Sequence, residues 1–157
     1  MKIETTKYLD FHQKSHIFDL WNNEYPQQLS YESIENLEIY LNGISNPTHY
    51  FLSNQLDETV GWASTFSREG EIWFAIIINS EFHGKGYGKM LLDEMKLVES
   101  KLNGWVIDGV NEVKSNGELY RSPLEFYKKN DFKILSEIRL ELELFSTVKI
   151  VWEKDQL

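Results

Sequence analysis

Cysteine is absent from the 157-residue chain. Its absence excludes disulfides, thiolate metal sites and a cysteine nucleophile together. Proline is scarce: Pro26, Pro47 and Pro123 are the only three, each where an element boundary is expected. No apolar run is long enough to span a bilayer. The run at residues 72–78 is seven residues long, which suits a buried strand. Repeats and low-complexity tracts are missing too. Positive charge is in short supply, with 16 Lys and Arg against 25 Asp and Glu and a net charge of −9. That balance argues against nonspecific nucleic-acid binding, which needs a cationic surface. The deficit is concentrated in residues 1–82, with four Lys/Arg against twelve Asp/Glu. Two readings of this acidic half are open: a solvated surface, or an electrostatic funnel for a cationic molecule. Met1 to Lys7 contain no apolar signal-peptide core, so a soluble cytoplasmic protein is expected. The length fits a single domain over residues 1–157.

Hydrophobic periodicity orders the chain. Residues 11–24 have helical spacing with Ile17, Leu20 and Trp21 inward, and a loop around Tyr25 and Pro26 follows. A second helix begins after Ser30, carries Ile34, Leu37 and Leu41 on one face, and ends near Gly43. Residues 49–52 and 59–66 read as a strand pair around the turn Asn54, Gln55, Leu56, Asp57. A buried strand at 71–79 comes next, then a glycine-rich segment. The helix after it is expected over 86–102, with Leu91, Leu92, Met95, Val98 and Leu102 on its inner face and Gly104 closing it. A short strand is expected at 105–110 and a helix at 122–130. In the tail, Ile134, Ile138, Leu140, Leu142 and Leu144 alternate with Glu137, Arg139, Glu141 and Glu143, and a second strand covers 148–152. The pattern predicts an α/β (α+β) fold around one mixed, mostly antiparallel sheet flanked by helices.

The segment His83, Gly84, Lys85, Gly86, Tyr87, Gly88, Lys89 lies between the buried strand and its helix. Strand, glycine-rich turn and helix together present bare backbone N–H groups at the positive end of a helix dipole, which binds phosphate. Glycine permits close approach and positive φ. Lys85 and Lys89 add charge there. The alternative is a tight connection with no ligand. A Walker loop is excluded because Lys89 precedes Met90 rather than Ser or Thr. The spacing of Gly84, Gly86 and Gly88 also differs from the G-x-G-x-x-G dinucleotide fingerprint.

This segment resembles the pyrophosphate arm of the GNAT-type N-acetyltransferases, whose pattern is Gln/Arg-x-x-Gly-x-Gly/Ala. Gly86 and Gly88 fill the two small positions, and His83 stands where the family has Gln or Arg. The element order also resembles the GNAT-like acyl-CoA N-acyltransferase fold. A second local resemblance is the helix carrying Tyr127, followed five residues later by Phe132; Asp131 replaces the family's Gly, and Tyr120 stands where Asn is frequent. The resemblance implies acetyl-CoA as cosubstrate. Its pyrophosphate would lie on residues 83–89 and its pantetheine arm along the backbone of Ile76, Ile77 and Ile78. Tyr127 would serve the leaving thiolate. The activity implied is direct transfer of an acetyl group to a primary amine in a ternary complex.

Amide formation from a thioester requires a deprotonated amine, a polarised carbonyl and a protonated thiolate, and a tyrosine hydroxyl near sulfur suits the last task. The alternative for Tyr127 is a packed aromatic whose hydroxyl bonds to backbone. Glu24, Glu71 and Asp108 are carboxylates within reach of the expected site, and none is singled out as a base. His12 and His16 share a helix face, but no third ligand accompanies them, and no metal is expected. The tryptophans and Tyr25, Tyr31, Tyr40 and Tyr50 suit either an acceptor pocket or the core. Expected partners are an amine-bearing acceptor, cationic on the funnel reading, with neither nucleic acid nor membrane; a monomer or homodimer is compatible. A silent acetyl-CoA-binding sensor and a nucleotide-phosphate binder are the other classes compatible with these residues.

Overall fold

A computed structural model describes residues 1–109, 111–141 and 146–155. Its elements are β1 (Lys2–Thr6), α1 (Phe11–Glu24), α2 (Ile34–Gly43), β2 (Ser45–Ser53), β3 (Thr59–Arg68), β4 (Glu71–Ile78), α3 (Tyr87–Val98), β5 (Lys101–Ile107), α4 (Leu124–Lys129), β6 (Lys133–Glu141) and β7 (Ser146–Glu153). The strands form one seven-stranded sheet in the order β1-β2-β3-β4-β5-β7-β6. Every pairing is antiparallel except β4 with β5. This is the mixed, mostly antiparallel sheet that the strand patterning predicts.

Each face of the sheet has its own core. One gathers Ile17, Leu20 and Trp21 of α1 and Leu37 and Leu41 of α2 against Phe51, Trp62 and Ile77. The other gathers Leu91, Leu92 and Met95 of α3 with Tyr127 of α4 against Leu52, Ala63, Phe74 and Val106. Alternation along β4 explains the division: Ile77 faces α1 and α2, whereas Phe74, Ile76 and Ile78 face α3 and α4. The start of α1 is fixed by a reciprocal cap. Asp10 accepts the Gln13 N–H at 2.8 Å, and the Gln13 side chain accepts the Asp10 N–H at 2.9 Å.

Two sequence expectations need correction. The third helix stops at Val98 rather than near residue 102, with the Glu99 N–H bonded to the Met95 carbonyl. Val98 is exposed, and Leu102 belongs to β5, where it pairs with Trp152 of β7. Gly104 therefore lies inside a strand. Its missing Cβ makes room for the Phe74 ring, which a built Cβ would approach to 2.9 Å. The strand expected at 105–110 accordingly begins at Lys101, and Val110 lies outside the described residues. The alternating tail appears as β6 up to Glu141; the expected strand positions Leu142, Glu143 and Leu144 also lie outside the described residues.

The ladder between β4 and β5 has one registered pair, Trp73 with Asn103. Beside it the buried Asn103 amide donates to the Ile72 carbonyl at 3.1 Å. Beyond that point the two strands diverge. Ala75 and Ile76 of β4 and Trp105, Val106 and Ile107 of β5 line the opening between them.

A buried histidine in β2 makes the fold acid-sensitive. His49 is 2 % exposed, stacks on Trp62, and accepts the Trp62 indole N–H at Nδ1 over 3.2 Å. Burial lowers its pKa from 6.5 to about 4. Between those values the unfolded chain binds a proton that the folded chain excludes, so stability falls as pH drops from about 6.5 towards 4. The expected loss is roughly 3 kcal/mol, because each tenfold change in proton affinity corresponds to about 1.4 kcal/mol. Urea unfolding at a series of pH values should show this slope, and His49→Gln should flatten it across the same window. An unchanged slope in His49→Gln would exclude His49 as its source.

Candidate active site

The connection from β4 to α3 is built from local hydrogen bonds. The Asn79 side chain caps the Glu81 N–H at 2.9 Å, and the Phe82 N–H bonds to the Asn79 carbonyl. His83 folds back, with Nε2 2.7 Å from the Ile78 carbonyl oxygen. Its ring thereby pins the turn to the strand end. Gly84 and Gly86 follow at φ +75° and +84°, and a Cβ at either would meet nothing within 4 Å. Their need for glycine is conformational, since that region disfavours side chains. Gly88 is required for packing: a Cβ there would sit 2.9 Å from the Phe126 ring.

Among the described residues, no backbone N–H from Gly84 to Lys89 has a protein acceptor; the first helical bond of α3 comes from Met90 to the Gly86 carbonyl. Six free donors in a glycine-bearing turn at the N-terminus of a twelve-residue helix form a concentrated anion-binding surface. Lys85 and Lys89 contribute less than their positions suggest. Lys89 is paired with Asp93 at 2.7 Å, and Lys85 lies over the Phe82 ring at 5.6 Å. Neither borders the cavity beneath the turn.

That cavity has a volume of about 630 Å³. It brings together Ile76, Ile77 and Ile78 of β4, His83, Gly84, Gly86, Tyr87 and Gly88 of the turn, and Tyr127 of α4. Its far wall includes Tyr120, which stands where the family often has Asn, and Lys114, Arg121 and Ser122, which sequence reasoning missed. They lie in the irregular connection between β5 and α4, which carries no periodic signal. The connection is held by main-chain bonds: the Gln27 N–H donates to the Val113 carbonyl at 2.8 Å, and Pro26 bridges to Lys114. An ion pair of Lys114 with Glu24 at 3.2 Å, its side chains 8 % and 11 % exposed, completes the attachment.

Glu24 also accepts the Ser80 N–H at 3.0 Å. One carboxylate thus joins the end of α1, the β4–α3 turn and the β5–α4 connection. The other two carboxylates within reach are engaged elsewhere. Glu71 pairs with Lys101 at 2.7 Å, and that hydrogen bond lowers its pKa. Asp108 receives Arg139 Nη2 on both oxygens, at 2.8 and 3.0 Å. Neither borders this cavity or the smaller one described below. His16 pairs through Nδ1 with the Thr59 hydroxyl at 2.9 Å, while His12 is exposed.

Tyr127 is packed edge-on against Phe74, Phe126 and Phe132, with ring centroids at 5.7, 5.1 and 5.2 Å. Among the described residues its hydroxyl makes no hydrogen bond. Burial first, and the neighbouring Tyr120 second, push its pKa far above the ordinary tyrosine value. The hydroxyl is therefore a proton donor throughout the neutral range. Burial pushes Tyr120 up to about 12 and raises Tyr25 as well.

A second cavity of about 330 Å³ lies across the β4–β5 opening. Tyr25, Ile76, Tyr120, Pro123 and Tyr127 border both spaces. Trp21 and Tyr40 wall the smaller one from the helix side, over a floor of Phe66, Trp73 and Trp105. The chain thus offers a donor-rich cleft and an aromatic pocket that meet at Tyr25, Tyr120 and Tyr127 and the edge of β4 at Ile76.

Known proteins supply the context for this arrangement. No curated protein matches the chain. Its fold is similar to that of a candidate phosphinothricin N-acetyltransferase, with a TM-score of 0.71 at 13 % identity over 99 % of this chain and 100 % of that one. A candidate acetyltransferase from Acinetobacter baylyi ADP1 gives 0.68 at 12 % identity, over 99 % and 95 %. A chimera of the Vibrio cholerae spermidine N-acetyltransferase SpeG gives 0.66 at 16 % identity, over 98 % and 96 %. At these identities the likeness concerns the fold. The family model for the acetyltransferase (GNAT) domain matches residues 46–134, which run from β2 through the turn and α4 into β6. The match spans more than half of the sequence, and the chain belongs to the GNAT family of acetyltransferases.

Proposed function

We propose that the protein transfers an acetyl group from acetyl-CoA to a primary amine, directly and within a ternary complex. The observation that carries this reading is the meeting of the two cavities at Ile76 and Tyr127. A donor held in one space and an amine held in the other reach a shared junction without a covalent enzyme intermediate. Ser80 and Ser122 border the larger cavity, but among the described residues neither hydroxyl is hydrogen-bonded to a histidine or carboxylate that would make it a nucleophile.

The residues present fit acetyl-CoA. The free N–H groups of Gly84 to Lys89 suit its pyrophosphate, and the positive φ of Gly84 and Gly86 keeps that approach open. The backbone of Ile76, Ile77 and Ile78, released from pairing with β5, suits the amides of its pantetheine arm. When bound, it supplies the thioester that acylates the amine. Tyr127 would supply its hydroxyl proton to the leaving thiolate. The nitrogen that has formed the new C–N bond releases its own proton to water, from which Tyr127 is reprotonated. Backbone N–H groups of the freed β4 edge polarise the acetyl carbonyl.

Among the described residues, the carboxylates bordering the cavities are Glu24, held by Lys114 and Ser80, and the exposed Glu118, which lies 3.8 Å from Lys114 Nζ, and neither is assigned as a base. The amine enters in its neutral form. The aromatic pocket favours that form, since burial disfavours an ammonium.

Calorimetry should detect binding of acetyl-CoA and not of ATP or NAD; equal binding of ATP would favour a nucleotide-phosphate site instead. Tight acetyl-CoA binding without transfer to any amine in a broad panel would indicate a sensor. Tyr127→Phe should lower kcat by about 100-fold while acetyl-CoA affinity stays close to wild type. Equal kcat in the variant would remove Tyr127 from the mechanism. Because the hydroxyl keeps its proton well above pH 10, the wild-type kcat should show no descending limb up to that pH.

A further inference from the structure

We propose that the aromatic cavity accepts an amine that also carries a carboxylate, bound by Arg68, with a flat or apolar body across Trp73 and Trp105. This inference rests on the reading of that cavity as the acceptor site. It differs from the cationic acceptor that the acidic N-terminal half suggests.

The lining decides the sign of the charge. Among the described residues bordering the cavity, Arg68 alone is formally charged and there is no Asp or Glu. The acidic side chains of the first two helices lie elsewhere: Asp19, Glu35 and Glu38 are outside the lining, and Glu24 is paired with Lys114 in the other cavity. The acidity of residues 1–82 therefore does not reach the pocket as local charge.

Arg68 ends β3 on the face that carries Phe66. Its Cζ is 5.1 Å from the Phe66 ring centroid and 5.6 Å from that of Trp73, so the guanidinium lies against the aromatic floor. Its cross-strand neighbour Glu71 is directed instead to Lys101 at 2.7 Å and Lys149 at 4.0 Å. Among the described residues Arg68 has no carboxylate partner within 4.0 Å. A second cation, Lys149 Nζ, lies 5.3 Å from the Trp73 ring. Lys149 lies outside the lining and shares Glu71 at 4.0 Å, so Arg68 is the cation that this floor presents, which disfavours a polyamine and attracts an anion. The planar fork of arginine suits a carboxylate in particular.

Geometry sets the acceptor's length. Trp73 and Ile76 are three residues apart on β4, roughly 10 Å at a rise of about 3.3 Å per residue. Arg68 at one end and the reactive junction at the other then call for a spacer of roughly 6–10 Å between acid and amine. Trp73 and Trp105, stacked with centroids 5.4 Å apart, line the space that such a spacer would cross.

The probe is para-aminomethylbenzoate, compared with para-aminomethylbenzamide, benzylamine and spermidine as acceptors, in wild type and Arg68→Gln. Arg68 is exposed at the end of a strand, so the variant should fold. The acid should exceed its amide in kcat/KM by roughly 10–100-fold, the scale of one charge-assisted hydrogen-bonded contact. In Arg68→Gln that ratio should fall to about one. Spermidine or the amide matching the acid, or an unchanged ratio in Arg68→Gln, would overturn the inference. Binding of unreactive para-toluate, followed by tryptophan fluorescence, needs no acetyl-CoA. Arg68-dependent toluate binding with no acetyl transfer to any amine would overturn the proposed function alone. Acetyl transfer without acid preference would overturn this inference alone, and failure of both would remove both.

Discussion

A single parallel contact governs the geometry of this molecule. Trp73 and Asn103 form the one registered pair between β4 and β5, and the Asn103 amide ties itself to the Ile72 carbonyl beside it. If the ladder continued, Ala75 to Ile78 would commit their backbone groups to a neighbouring strand and the sheet would close. Its interruption leaves main-chain donors and acceptors beside two cavities. The cost of the break is contained by pairing on the other edges: β4 keeps a full antiparallel register with β3, and β5 keeps one with β7. The opening is therefore held rigid on both sides, as a preorganised site requires.

Much of this framework is legible in the sequence, and the physical reason is periodicity. The extent of α1 is apparent from Ile17, Leu20 and Trp21, all of which reach the core. β4 is apparent as a short apolar run because it is covered by helices on both faces. The end of α3 is obscured because Leu102 continues a helical spacing from Met95 and Val98, although it occupies an inward strand position. The turn at Glu99 and Ser100 contains neither Gly nor Pro to mark the break. The glycine turn is readable because its residues are contiguous. Lys114 is not readable as a lining residue, since its irregular segment is positioned by isolated bridges from Pro26 to Lys114 and from Val113 to Leu119. Arg68 likewise follows an unremarkable strand, and only the sheet register brings it beside Trp73.

The side chains of the glycine turn also behave differently from its backbone. Lys85 and Lys89 mark the segment as cationic in the sequence, yet one lies on Phe82 and the other is neutralised by Asp93. Recognition of the proposed acetyl-CoA pyrophosphate would therefore depend on oriented N–H groups rather than on lysine charge. On a chain of net charge −9 this matters, because the long-range field opposes a polyanionic ligand. Short-range donors with no competing acceptor among the described residues would provide the local attraction.

The proposed acetyl transfer needs no dedicated carboxylate base. An ammonium entering the aromatic pocket loses hydration against Trp21, Tyr25 and Tyr40. It also meets the Arg68 guanidinium, which lies against Trp73. Desolvation and like charge both favour the neutral amine, and both act before any bond is made. A carboxylate placed in the pocket would have the opposite effect, stabilising the unreactive ammonium while competing with an acidic acceptor for Arg68. With Glu24 committed to Lys114 and Ser80, the pocket keeps one sign of charge at its rim and a protonated tyrosine at its inner end. On the proposed reading, the rim would orient the acceptor by its acid group and the apolar interior would deliver a neutral nitrogen to the junction.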